Sequence, residues 1–320
     1  MNSVKYVCPY TGEDLFFDGK RFSTKSGNVF FIKNNIPRFC SPENYTKSFG
    51  FQWNKFDRTQ LDSFSNSKLS YRRFWASTNW NIDELKGKNI LEVGCGAGRF
   101  TEVFLKSTEE TLYSLDYSSA VEANMRNNYS NHARLNLVQA SIYEMPFKDG
   151  TFDKIFCFGV LQHTPSFEKS VLALVKKLKK HGEIVVDFYP SKGLITRIHS
   201  KYLLRPITKR IPKKILLFLI SKTINISLFL FDLFLLLKID FLVRFIPITD
   251  IRGFPNNLNK LERKRWAIMD TFDAFSPEFD NPQKLENVVK MFEKGGCKIN
   301  FGGVVNYNGG ATTVIRAVKK

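Results

Sequence analysis

The stretch Leu-Glu-Val-Gly-Cys-Gly-Ala-Gly-Arg-Phe, residues 91–100, joins a strand-like apolar run to a helix-like one through glycines at 94, 96 and 98. A strand, a glycine turn and a helix bring bare backbone to the end of a strand, where a ligand can approach it closely. If similar units follow, the chain is committed to an α/β fold. They do follow. "TLYSLD", "LNLVQAS", "FDKIFCFG" and "GEIVVDFY" read as strands, with "RFTEVFLKS", "SSAVEANMRNNY" and "SFEKSVLALVKKLKK" as helices among them. After an interruption come a helix, "PQKLENVVKMFEKGG", and two strands, "KINFGGVVNY" and "ATTVIRAVK". The pattern predicts a doubly wound, Rossmann-like α/β sheet of seven strands.

Three segments stand outside that alternation. Residues 1–44 read as a small β unit with Gly and Asn-Asn turns. Cys8-x-x-Thr11 and the Ser/Thr cluster at 23–26 keep the two-residue gaps of a zinc ribbon. Hydroxyls replace three of the four ligands, so a ribbon without metal is expected, and no metal site elsewhere. Residues 45–86 hold ten aromatics, from Tyr45 to Trp80, and read as a helical cap rather than a base-stacking surface. The main domain is then 87–190 with 266–320, and 191–265 is a basic, hydrophobic helical insertion, read as a lid.

The insertion concentrates the charge. The chain carries a net +18, and between Asp187 and Asp232 it has no carboxylate. The cations there are Lys192, Arg197, Lys201, Arg205, Lys209, Arg210, Lys213, Lys214 and Lys222. Such a run implies an anionic partner, and the apolar stretch 213–238 beside it favours a membrane surface met through 192–238. Lys222 and Asp232 interrupt that stretch, which argues against a membrane span. As one helix it would align Lys214, Ser221, Asn225 and Asp232 in a stripe and leave the rest apolar. Five scattered cysteines and an opening without a secretory apolar run suit a cytoplasmic protein, peripheral on the inner membrane face.

The glycine turn is not a nicotinamide fingerprint, because Arg99 stands where a third small residue is needed. It also lacks the Gly-Lys-Ser/Thr end of a phosphate loop. The spacing Glu92-x-Gly94-x-Gly96-x-Gly98, Asp116 ending the second strand, Ser141-Ile142 after the third and "FGVLQHTP" after the fourth together resemble class I S-adenosylmethionine-dependent methyltransferases. The likeness is nearest to bacterial proteins of the "type 11" group. It implies S-adenosylmethionine as cofactor, held by Glu92, Gly94, Cys95, Gly96, Gly98, Arg99, Asp116, Tyr117, Ser141, Ile142, Gly159 and Gln162. Ser141 departs from the family, which usually has Asp there.

Methyl transfer from a sulfonium needs an aligned nucleophile and, for an alcohol, a base. His163 is the candidate base, and Asp273 the candidate acceptor contact in a cluster with Asp270, Glu278 and Asp280. Pairing with the basic insertion is expected for the other three. The chain lacks the Asn/Asp-Pro-Pro-aromatic turn of amino methyltransferases, having Gly159-Val160-Leu161-Gln162 instead, and no Pro-Cys pair for cytosine-C5 chemistry. Oxygen methylation of a small-molecule, glycan or lipid-linked acceptor is the expectation. An RNA methyltransferase and a non-catalytic cofactor-binding protein are the alternatives, with no specific nucleic-acid binding expected.

Overall fold

The computed structural model describes residues 4–191, 193, 196 and 198–320. A small sheet opens the chain, with β1 (Phe16–Phe17), β2 (Arg21–Ser23), β3 (Val29–Lys33) and β4 (Ile36–Pro37) in sequential antiparallel order. There Thr24 Oγ1 bonds Ser26 Oγ and accepts from the Asn28 amide, and Cys8 is buried near Phe30 and Phe39. The unit rests on the main domain through Arg38, which donates to Gln139 at 2.9 Å and pairs with Glu122.

The main sheet has seven strands: β5 (Ile90–Val93), β6 (Leu112–Asp116), β7 (Leu135–Gln139), β8 (Phe152–Cys157), β9 (Leu178–Phe188), β10 (Cys297–Tyr307) and β11 (Gly310–Lys319). Their order is β10-β11-β9-β8-β5-β6-β7, parallel from β9 to β7, with β11 running antiparallel to both its neighbours, β9 and β10. Every residue of β5 is buried, as a strand covered on both faces requires. Leu91 and Val93 join one core, with α6 (Phe167–Lys177) and α10 (Leu285–Lys294). Ile90, on the alternate side, joins the other core, with α3 (Leu69–Thr78), α4 (Arg99–Ser107) and α5 (Val121–Asn127). The strand order reverses between β5 and β8, so the crevice at their carboxyl ends is where a ligand fits.

The expected helix "SFEKSVLALVKKLKK" ends early: α6 stops at Lys177, and Leu178 already begins β9. The 45–86 segment, which also holds the short helix α2 (Asp62–Ser65), divides by role as well. Helix α1 (Lys47–Lys55) lies over the loop after β6, where a Cβ on Gly50 would come 2.4 Å from Ser119 Oγ. Helix α3 is instead a layer of the main core, with Phe74 fully buried against Phe156 and Phe158.

The insertion supplies α7 (Ser200–Thr208), α8 (Lys213–Leu236) and α9 (Lys260–Phe275). The boundary expected at 265/266 falls inside α9, because Asn259 and Glu262 form a capping box that starts the helix at Lys260. Helices α8 and α9 share a third core with Phe56 and Leu69. Lys192 and Arg197 lie outside the described residues.

Candidate active site

A cavity of about 820 Å3 occupies the crevice and runs under α1 to α7 and α9. Its first half is built by the glycine turn. Gly94 and Cys95 both donate backbone N–H to Leu115 O, at 2.7 and 3.1 Å, which folds the turn back onto β6. Gly94 has φ +79°, and a Cβ there would land 2.1 Å from Val160 Cγ2. Glycine therefore lets the β5 turn and the β8 loop meet at the cavity floor. Trp53 of α1 sits over Gly96, with its indole nitrogen 3.5 Å from where a Cβ would be.

Asp116 ends β6 in this half. Its Oδ2 accepts from the Gly96 amide at 2.9 Å, and its Oδ1 from the amide and hydroxyl of Ser118, both at 2.7 Å. Burial raises its pKa, against those three hydrogen bonds. A carboxylate has about four acceptor positions, so Oδ2 keeps one for a ligand hydroxyl. Holding two hydroxyls requires the Ser118 hydroxyl to turn away.

The second half carries titratable groups. His163 is buried, and its Nδ1 lies 3.1 Å from Phe279 O. A carbonyl only accepts, so Nδ1 bears the proton and Nε2 is the free base. Burial lowers the pKa of this imidazole, while the charges of Asp273 and Asp280 oppose the shift. The loop is fixed from outside: Asn281 donates its amide to Gln162 O at 2.7 Å and its side chain to Thr164 O at 2.9 Å.

Asp270 accepts from Gln60 Nε2 and Trp266 Nε1, each at 3.1 Å, and Gln60 Oε1 accepts from Arg99 at 3.1 Å. Burial, then the charge of Asp273, pushes the Asp270 carboxyl up to about 7. Arg99 is pushed down to about 10 by burial and by Arg73, and stays protonated at neutral pH. Arg73 pairs with buried Asp187, which also accepts from the Gly159 amide.

Among the residues expected from sequence, Gly94, Cys95, Gly96, Arg99, Asp116, Tyr117, Ile142, Gly159, His163 and Asp273 line this cavity. Four others do not. Glu92 is buried between layers and accepts from Thr101 Oγ1 and Ser114 Oγ at 2.5 and 2.8 Å. It braces β5, α4 and β6. Gly98, at φ +90°, faces α5, where a Cβ would meet Asn128 and Asn124 at 2.3 and 2.4 Å. Ser141 turns its hydroxyl to the Tyr143 amide at 3.1 Å. Gln162 is fully buried, and its backbone carbonyl ties down the 281 segment.

The carboxylates beside Asp273 and Asp270 pair with the insertion: Asp280 with Lys201 and Arg205, and Glu278 with Lys209 at 3.5 Å. Trp53, Gln60, Arg73, Tyr189 and Trp266 also line the cavity and were not assigned to the site from sequence. For Trp53, Gln60 and Arg73 the available signal was the density of aromatic and polar residues in the segment before the alternation.

Residues 91–186 match the family model described as "Methyltransferase domain". The tRNA U34 carboxymethyltransferase of Nautilia profundicola is 29% identical over 120 residues, 35% of this chain and 40% of that protein. The demethylmenaquinone methyltransferase of Bacillus licheniformis is 24% identical over 125 residues, 38% of this chain and 54% of that protein. The chain thus spans about half the length of such relatives or less. Among solved structures, magnesium protoporphyrin IX methyltransferase from Synechocystis PCC 6803 with bound SAH superposes with a TM-score of 0.47 at 14% identity. That match covers 86% of this chain and 97% of the other. The YcgJ protein of Bacillus subtilis gives 0.43 at 12% identity, covering 78% and 98%. Residues 91–186 thus form a methyltransferase domain, carried on the sheet described above. The residues present fit S-adenosylmethionine, the cofactor the sequence implies: positive-φ glycines clear the floor, and a half-buried carboxylate with a free lone pair stands one strand away.

Proposed function

Starting from a class I methyltransferase domain at residues 91–186, we propose that this protein methylates a hydroxyl oxygen of a small-molecule, glycan or lipid-linked acceptor. One observation carries the reading. An imidazole whose Nδ1 proton is committed to a backbone carbonyl shares a cavity with Asp116 and the glycine turn. S-adenosylmethionine supplies an electrophilic methyl group when bound. Gly94, Gly96 and Asp116 would hold it, beneath Trp53 of α1. His163 Nε2 takes the proton of the acceptor hydroxyl, and the charge of Asp273 favours the imidazolium that results. Asp273, Asp270 and the indole of Trp266 offer acceptors and a flat apolar face, the chemistry that receives a polyhydroxylated molecule. Lys201, Arg205, Lys209 and Lys213 of the insertion are turned to carboxylates and carbonyls, which speaks against an extended phosphate track there.

The test incubates the protein with methyl-tritiated S-adenosylmethionine and extract of its source cells, then separates lipid, glycan, small-molecule, RNA and protein fractions. Label in the lipid, glycan or small-molecule fraction, stable to mild acid as an ether is, supports the reading. Label in RNA favours a tRNA substrate, as named for the carboxymethyltransferase relatives. Cofactor binding with no labelled product points to a non-catalytic binding protein.

A further inference from the structure

Helix α8 is continuous over 24 residues, about 36 Å at 1.5 Å per residue. It is apolar on both sides. One face, including Leu217, Ile220, Ile224 and Phe231, is buried in the core shared with α9. The opposite face exposes Ile215, Phe218, Ile226, Phe229 and Leu236, at 52, 59, 64, 65 and 78% of their area. Their spacings of 3, 8, 3 and 7 keep to one side of a helix. Phe241, in the turn that follows, is 60% exposed. By length and composition alone the helix could cross a membrane, yet a third of its most apolar window is buried inside the fold. Asp232 bonds both guanidinium nitrogens of Arg263 on α9, at 2.6 and 2.8 Å, and α9 carries Trp266 and Asp270 of the cavity. Withdrawing the helix into a bilayer core would strip the cavity wall.

The exposed face has a charge signature. Lys201, Arg205, Lys209 and Lys213 are drawn inward to Asp280, Glu278 and the Ser276 carbonyl. Arg210, Lys214 and Lys238 stay exposed beside the apolar residues, and Lys222, on the same side between Phe218 and Ile226, lies over the Phe218 ring, from where its long side chain can reach the headgroups. Asp232, the carboxylate on the helix, is already paired. A second copy of this chain would bring these four cations against their own kind, whereas an anionic leaflet matches both components.

We infer that α8 lies in the plane of an anionic membrane surface, with Phe218, Ile226 and Phe229 among the acyl chains and the four cations at the headgroups. A cytoplasmic membrane face is the setting this gives the enzyme. The surface alone carries the inference, so it stands even if no methyl transfer is found.

The experiment is sedimentation of the full chain with vesicles of phosphatidylcholine, alone or mixed with phosphatidylglycerol. The expected result is binding to the mixed vesicles, weakened by high salt, and little to phosphatidylcholine alone. Each cation near an anionic leaflet contributes about 1 kcal/mol, or about fivefold. R210Q/K214Q/K222Q/K238Q should therefore lose at least about tenfold in binding, and F218S/F229S a comparable amount. These positions are exposed, and unchanged circular dichroism confirms that each variant is folded. Wild-type protein left in the supernatant with anionic vesicles at low salt overturns the inference. So does equal binding by all variants, a stable dimer that F229S dissociates, or protein that alkaline carbonate cannot release.

Discussion

Glu92 offers a prediction that separates its two readings, ligand contact and internal brace. Burial pushes its carboxyl from 4.5 up to about 7, against hydrogen bonds from Thr101 and Ser114. A carboxyl raised in the folded state favours folding while it is protonated, and that advantage is lost as pH rises through the folded value. With 4.5 unfolded and about 7 folded, the loss between pH 5 and pH 8 is on the order of 2–3 kcal/mol. Glu92→Gln keeps an oxygen for both hydroxyl donors and removes the titration. Any fixed penalty for its buried NH2 is the same at both pH values, so the informative quantity is the change in the wild-type-minus-variant gap. Urea denaturation followed by tryptophan fluorescence at pH 5 and pH 8 measures it. The variant should gain on the order of 2–3 kcal/mol on wild type between the two and bind S-adenosylmethionine within about twofold of wild type. A gap independent of pH would refute the buried titration, and a tenfold loss of cofactor affinity would refute the brace.

Three further outcomes are expected. The kcat/KM for methyl transfer should rise with pH through an apparent pKa below 6.5 and then level off, because the neutral imidazole is the active form; His163→Ala should cost roughly 10²–10⁴-fold in kcat. A pH-independent rate that survives the substitution removes the base. Gly98→Ala should destabilise the fold by about 1–3 kcal/mol in thermal denaturation, from its φ of +90° and the clash with Asn124 and Asn128; an unchanged melting temperature contradicts the close packing. Asp187→Ala strands Arg73 as a buried, unpaired charge and should cost about 3–5 kcal/mol in urea denaturation, with a loss near that of an exposed pair, under 1 kcal/mol, counting against it.

The sheet was legible because its signals are local. Alternate glycines, an Asp ending "YSLD" and mainly apolar strands each follow from what a covered parallel strand and its carboxyl-end turn demand. Glu92 was misplaced because strand periodicity points it away from the turn it precedes, into the layer of Thr101 and Ser114. Gly98 belongs to helix packing for a similar reason: at the N-cap its missing Cβ faces α5. Trp53, Gln60 and Trp266 converge only when α1 and α9 fold over the crevice, across more than 200 residues of chain. No spacing rule reaches that far. Charge counting found the basic insertion but not its partition, since pairing of Lys201 and Arg205 with Asp280 depends on tertiary placement.

Isothermal calorimetry of wild type and Asp116→Ala with S-adenosylmethionine, and with NAD as control, tests most directly whether this cavity is a methyl donor's site. Wild type should bind S-adenosylmethionine and not NAD. Removing the carboxylate that reaches from β6 to the Gly96 amide should weaken binding by about 1–3 kcal/mol. NAD binding without S-adenosylmethionine binding, or equal affinity in a folded Asp116→Ala variant, would contradict the account.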